Sequence, residues 1–400
     1  MFLKKAPLYV ALAGAFVAPV AMAQSVQVYG RLYPYLIQES GSGATAVGTP
    51  VATFAQTLSG VNAVRKIRGM SAGNSRIGFR GSEDLGGGFK AIFQLEGVVN
   101  VDDGGPSPFT FNRDGFVGLS GGFGTFRLGN MDTVFKDYGD TIGILGTSSG
   151  TPTSSSNILR KIGFGTSNTS RFHERRANSI KYESKEMGGF QAGLQVATGE
   201  NPTATLGAQK TYSLGVKYDQ GPIYVALAHE IHDNFYGGSA NAPSAMRNNG
   251  AGTTVGSKDK ATQFTVEWRL NKSHKFEFDV IRKTYNEPAT VTGRFQSYSN
   301  TAYLLAMENR WSDQWRTAAH FVKSGAGSCT RVAAACVTDG LEGSKFIVGA
   351  SYYLSRRTYV FGMVNTITNG KSARFAANDF NAANAGEDSR HLILGLSHGF

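Results

Sequence analysis

Arg76 and Arg80 stand four positions apart in the stretch SRIGFRGSEDLGGGFKAIFQLE, residues 75–96, with Ile77 and Phe79 in the alternate positions. A guanidinium stays charged at every accessible pH and holds a carboxylate or phosphate through paired hydrogen bonds, so this spacing suits anion recognition. Arg31 in SVQVYGRLYPYL repeats the pattern, and Lys181 in NSIKYESK is a fourth candidate cation. Against them stand Asp132, Asp137 and Asp140, which open a long polar segment carrying Arg160, Lys161, Arg171, Arg175 and Arg176. Opposed rings of such charges across a wet opening order the water between them and favour polar over apolar solutes.

Covalent chemistry finds little to work with. Gly146, Ser148 and Gly150 match G-x-S-x-G in letters, yet they lie in a Ser/Thr/Gly tract rather than in the strand-turn-helix that exposes a nucleophile. The 7 histidines show neither H-E-x-x-H nor a ligand spacing with the cysteines, so no metal and no cofactor is expected, and no catalytic residue is assigned. A net charge of +11 raises the question of nucleic acid. Apart from short clusters at Arg65, Lys66, Arg68 and at Arg175, Arg176, the basic residues occur singly at alternate positions, which excludes that class. Cys329 and Cys336 flank a small-residue segment, and an oxidising compartment would favour joining them, the alternative being two free thiols in a loop.

The elements that hold these residues have a period of two. Phe89, Ala91, Phe93 and Leu95 oppose Lys90, Gln94 and Glu96, and Phe264, Val266, Trp268 and Leu270 oppose Gln263, Glu267 and Arg269. Successive side chains of a strand point to opposite faces, so each of these segments has one greasy and one charged side. An arginine facing hydrocarbon at mid-depth costs roughly 2 to 4 kcal/mol, which turns the charged face toward a hydrated interior. Short turns such as DLGGG (84–88) and GGFG (121–124) alternate with long polar connections and divide the chain into sixteen strands. That is an all-β fold, a transmembrane 16-stranded antiparallel β-barrel. Residues 1–23 carry Lys4 and Lys5, an apolar run from Leu8 to Val20 and a small-x-small ending at Ala21 and Ala23, and form a cleaved export signal ahead of a barrel domain at 24–400. The apolar run is shorter than the roughly 20 residues of a spanning helix.

Four stretches then carry a resemblance: SRIGFRGSEDLGGGFKAIFQLE, FNRDGFVGLSGGFGTFRLGN (111–130), NSIKYESKEMGGFQAGLQVATGE (178–200) and the ending HLILGLSHGF. Together they resemble the general diffusion porins of Gram-negative outer membranes. The resemblance implies a homotrimer of water-filled barrels among outer-membrane lipid and lipopolysaccharide, each narrowed by a third loop folded inward, here 132–175. It also implies that a terminal phenylalanine, Phe400, is read by the barrel assembly machinery. The chain departs from the family in having Asn130 where an arginine is common after the leucine-glycine pair, and its loop lacks the usual proline-aromatic-glycine run.

The function expected on these grounds is passive diffusion of small hydrophilic solutes and ions, with a preference for anions set by Arg31, Arg76 and Arg80. A channel selective for one organic anion is the alternative. An outer-membrane enzyme or adhesin would need a Ser/His constellation on the outer wall or far longer loops, and neither is apparent.

Overall fold

The computed structural model describes residues 25–56, 58–104, 109–139, 141–146, 151–200, 207–248, 256–377 and 383–400. The leader at 1–23, Asp140, Ser148 and Gly150 lie outside these residues. The first strands are β1 (Ser25–Leu32 and Tyr35–Ser42), β2 (Ile67–Ser71 and Arg76–Gly86), β3 (Phe89–Val99) and β4 (Phe109–Thr110 and Gly115–Gly121). They are followed by β5 (Gly124–Asp132), β6 (Arg175–Glu183), β7 (Phe190–Thr198), β8 (Lys210–Gln220), β9 (Ile223–Asp233) and β10 (Lys258–Arg269). The circuit is completed by β11 (His274–Asn286), β12 (Phe295–Arg310), β13 (Trp315–Ser324 and Ser328–Arg331), β14 (Gly343–Tyr353), β15 (Thr358–Asn369) and β16 (Asp388–Gly399).

Every sequential pair is antiparallel, and the sheet closes on itself where β16 pairs with both pieces of β1, from Arg31↔Gly399 to Ser42↔Asp388. Closure removes the unpaired edge, whose N–H and C=O groups would cost several kcal/mol each in hydrocarbon. Phe400 extends the seam, its N–H donating to the Gly30 carbonyl at 3.1 Å and its carbonyl accepting from the Gly30 N–H at 3.2 Å. A Cβ at Gly30 would come within 2.4 Å of the Phe400 ring and 2.7 Å of the Arg76 carbonyl, so only glycine fits beside the last residue. Among the described residues no helix is long and apolar enough to cross a membrane, and the crossing is made by strands.

Parity sorts the wall. Val26, Val28 and Leu36 are 53–56% exposed on the outer face, whereas Gln27, Tyr29 and Arg31 take the alternate, inward positions. One part of the interior departs from the polar lining expected of a pore: Tyr33, Tyr35 and Ile37 point inward yet are almost fully buried. They pack with Phe361, Met363 and Ile393 under Ile144 and Leu145 of the third loop, so the loop's own apolar residues dry that stretch of wall. A second cluster joins Phe54 of the first loop to Phe164 and Phe295 at ring distances of 5.2 and 5.0 Å. The disulfide Cys329–Cys336, with Cα atoms 5.7 Å apart, stiffens a segment whose Val337 N–H donates to Thr53 Oγ1 at 2.8 Å.

Candidate functional site: the lumen and its third loop

The third loop, residues 133–174, enters the barrel directly from β5. It begins with a short helix, α1 (Val134–Tyr138), capped by Thr133, whose hydroxyl accepts from the Lys136 N–H at 3.3 Å. The helix lies against β7 and β8 because two inward positions there are glycine. A Cβ at Gly193 or Gly215 would stand 2.9 Å from the Tyr138 side chain. The backbone N–H of Phe135 donates to Ser213 Oγ at 2.8 Å, and the Tyr224 hydroxyl donates to the Tyr138 carbonyl at 2.7 Å.

Beyond α1 the wall holds the loop mainly by its peptide groups. The Glu277 carboxylate accepts from the N–H groups of Thr141 and Ile142. Tyr33 and Tyr359 hydroxyls converge on the Leu145 carbonyl at 3.2 and 3.1 Å, and Arg31 Nη2 donates to the Gly146 carbonyl at 2.7 Å. Lys345 Nζ donates to the carbonyls of Pro152 and Ser154. A second helical turn, α2 (Ser156–Leu159), is followed by the carbonyl pair Leu159 and Lys161, which accept from the buried Lys283 Nζ at 2.8 and 2.7 Å. The Tyr285 hydroxyl donates to the Ser170 carbonyl at 2.6 Å.

Several residues singled out by type turn out to serve this attachment. Lys181 is 1% exposed and its ammonium bonds both the Asp137 carboxylate and the Asp132 carbonyl, tying the start of the loop to β6. Asp132 in turn meets Lys136 Nζ at 2.9 Å and Arg175 Nη2 at 2.8 Å, and Arg175 also reaches Asp114 at 2.8 Å. Arg160 is fully buried rather than at an entrance, with its Nε on Gln263 at 3.2 Å. Arg171 pairs with Glu174, and Arg176 lies over the Phe235 ring at 4.7 Å with a contact to His232. Burial pushes the Lys161 ammonium down to about 8. Burial, and then the positive charges of Arg160, Lys136 and Arg171, hold His173 well below the usual histidine range, so it is neutral at physiological pH.

Two further groups of arginines line the interior. On the wall from β2 to β6, Glu96 gathers Arg76 at 3.5 Å, Arg113, and the Tyr29 hydroxyl at 3.0 Å, while Arg127 pairs with Glu183. Glu96 was placed on the polar face from sequence but given no role, and Arg113 and Arg127 were not singled out; inward parity was the signal available for Arg127, whereas Arg113 lies outside any strand. The second group rests on tyrosine rings: Arg31 over Tyr33 at 4.4 Å, Arg80 over Tyr29 at 4.8 Å and Arg316 over Tyr353 at 4.3 Å. The loop leaves open a cavity of about 910 Å³ lined by Arg31, Lys136, Lys275, Arg316, Arg356 and Arg357 on the basic side and by Asp132, Asp137 and Glu308 on the acidic side. Among the described residues no group of three His, Cys, Asp or Glu is placed to hold a metal ion.

A closed sixteen-stranded barrel, apolar outside, charged inside and narrowed by its own third loop, defines a transmembrane β-barrel of the outer membrane. The sequence profile of the Gram-negative porin family matches residues 10–372. The major outer membrane protein P.IB of Neisseria lactamica is 34% identical over 154 residues, covering 38% of this chain and 41% of that protein. The P.IB protein of Neisseria meningitidis serogroup B is 32% identical over 166 residues, 40% of this chain and 45% of that protein. The chain thus spans less than half the length of these two relatives. An anion-selective porin from Comamonas acidovorans superposes with a TM-score of 0.70 at 21% identity, over 94% of this chain and 100% of that one. OmpF of Salmonella typhi, in complex with daunomycin, has a TM-score of 0.56 at 13% identity over 94% of this chain and 98% of the other. At these identities the structural likeness speaks for the fold. With its profile match running through most of its length, the chain belongs to the Gram-negative porin family.

Proposed function

We propose that the chain forms a water-filled pore for passive diffusion of small hydrophilic solutes and ions, with a preference for anions. The observation that carries this reading is the charge inventory of the 910 Å³ cavity beside the third loop. Its acids are already engaged: Asp132 with Lys136, Asp137 with Lys181, and Glu308 near Lys275 at 3.9 Å. Arg31, Arg316, Arg356 and Arg357 have no carboxylate partner among the described residues, and so leave the opening positive. A positive, narrow passage raises the local concentration of anions. The Comamonas acidovorans porin of the same fold, described as anion-selective, supports the same preference.

Export by the leader at 1–23, assembly as a homotrimer within lipid and lipopolysaccharide, and reading of Phe400 by the barrel assembly machinery belong to this proposal. A trimer form is described for OmpT of Vibrio cholerae, which shares the fold. The test is the reversal potential of the reconstituted pore in a salt gradient, for the wild type and for Arg356→Ala with Arg357→Ala, two of the cavity's unpaired cations. Anion preference that weakens in the double variant supports the reading; cation preference in the wild type overturns it.

A further inference from the structure

Of the three ring-supported arginines, Arg31 bonds the Gly146 carbonyl and Arg80 bonds Gln27, whereas the Arg316 guanidinium makes no hydrogen bond among the described residues. Arg316 lies on β13 opposite Ser351 of β14, and its guanidinium is laid on the Tyr353 ring with Cζ 4.3 Å from the centroid. Tyr353 is itself stacked on Tyr359 at 4.7 Å, and Tyr359 is fixed through its hydroxyl to the Leu145 carbonyl, so the plane under the guanidinium is rigid. No carboxylate neutralises Arg316 among the described residues, and its buried Nε has no hydrogen-bond partner. The ring therefore orients the group without consuming its charge, and the two-pronged Nη end is left for an oxyanion.

Arg316 also lines two cavities at once. One is the 910 Å³ space beneath the third loop, shared with Lys275, Arg356 and Arg357. The other is a neighbouring space of about 270 Å³, shared with Lys272, Lys275 and Arg310. Arg356 and Arg357 belong to the short turn between β14 and β15, and Lys272 to the turn between β10 and β11, which puts the cluster at the short-turn end of the barrel. In that cluster the carboxylate shared by the two cavities is Glu308. A monovalent anion would leave several of these cations uncompensated, whereas a small anion with two or three charges meets them together.

We propose that Arg316, supported on Tyr353 and flanked by Lys275, Arg356 and Arg357, is a binding subsite for multivalent small oxyanions at the periplasmic end of the pore. The proposal rests on the anion-pore reading and specifies which anions that pore retains on their way through. Di- and tricarboxylates and inorganic phosphate share the required chemistry.

The test is block of chloride current through the full-length reconstituted pore, with citrate, inorganic phosphate or acetate added to each side in turn at matched ionic strength. Citrate, phosphate or both should block saturably, at lower concentration from one side than from the other, and acetate should not. Which of the two blocks more tightly tells carboxylate from phosphate chemistry. Loss of one charge-assisted contact in Arg316→Gln should raise the half-blocking concentration about tenfold. Arg357→Gln, on an exposed turn, should raise it less and serves if the first variant does not insert. Citrate and phosphate blocking no better than acetate overturns the proposal, as does block that neither variant changes. Reversal potentials in the same membranes separate the two claims: retained anion preference without block sinks only this subsite, whereas cation preference sinks the pore reading itself.

Discussion

The wall from β2 to β6 and the wall from β13 round to β1 both carry inward arginines, but they hold them differently. On the first, Arg76, Arg113, Arg127 and Arg175 each meet a carboxylate of Glu96, Glu183, Asp114 or Asp132. On the second, Arg31 and Arg316 lie on tyrosine rings and no carboxylate answers them. A carboxylate fixes a guanidinium and cancels its field; an aromatic face fixes it and leaves the field intact. Counting arginines therefore overstates the uncompensated positive charge that the first wall presents to the lumen. Arg80 is the exception on β2, since it rests on Tyr29 and bonds Gln27 at 2.9 Å.

The sharpest way to break this contrast is Glu96→Gln, which strips Arg76 and Arg113 of their shared partner. Removing one side of a buried charge cluster costs on the order of 3 kcal/mol. The loss should appear in the urea midpoint of the folded barrel, together with a stronger anion preference; an unchanged midpoint would show that the cluster is hydrated and the pairing weak.

Glu287 offers the mirror case, a buried carboxylate with no cation paired to it among the described residues. Its oxygens accept from the Ser239 N–H at 2.7 Å and from the Ser239 hydroxyl, yet burial pushes it up to about 7. The folded chain thus binds this proton more tightly than the unfolded chain does. The stabilisation is complete below the ordinary glutamate range and is lost as pH rises through about 7. Between about pH 5 and pH 8 the wild type should lose on the order of 2 kcal/mol relative to Glu287→Gln. Parallel denaturation curves for the two proteins would contradict the assignment.

The smallest effect belongs to a pair deleted whole. Arg127→Gln combined with Glu183→Gln removes one charge of each sign from the paired wall and should leave the reversal potential where it was. Arg80→Gln, which removes a charge with no carboxylate partner, should shift it toward cations. If the double variant moves selectivity as far as the single one, the distinction between paired and ring-supported arginines fails.

Strand period, sixteen crossings and the seam between β1 and β16 were legible because lipid imposes a two-residue alternation on every spanning segment. The inward phase of Arg31, Arg76 and Arg80 followed from the same rule. Parity does not tell whether an inward residue meets water or the loop. Lys181 looked like a pore-lining cation and instead ties down α1, while Arg160 looked like an entrance residue and is buried against the wall. The apolar patch of Tyr33, Tyr35 and Ile37 was hidden for the same reason, since its partner Leu145 lies more than a hundred positions away in sequence. Arg316 drew no attention because its environment is a ring on the next strand, a relation that only strand pairing reveals.

The grip on the third loop has a consequence for how freely its sequence can change. Tyr33, Tyr359, Arg31, Lys345, Lys283 and Tyr285 all hold carbonyl oxygens of the loop rather than its side chains. Carbonyls are the one feature that every amino acid supplies. Beyond α1 the path of the loop is thereby largely written into the wall, and these bonds do not depend on which side chains the loop carries at the held positions. A substitution at a loop position held only through its carbonyl leaves the wall's hydrogen bond in place, so the loop keeps its course while the side chain changes.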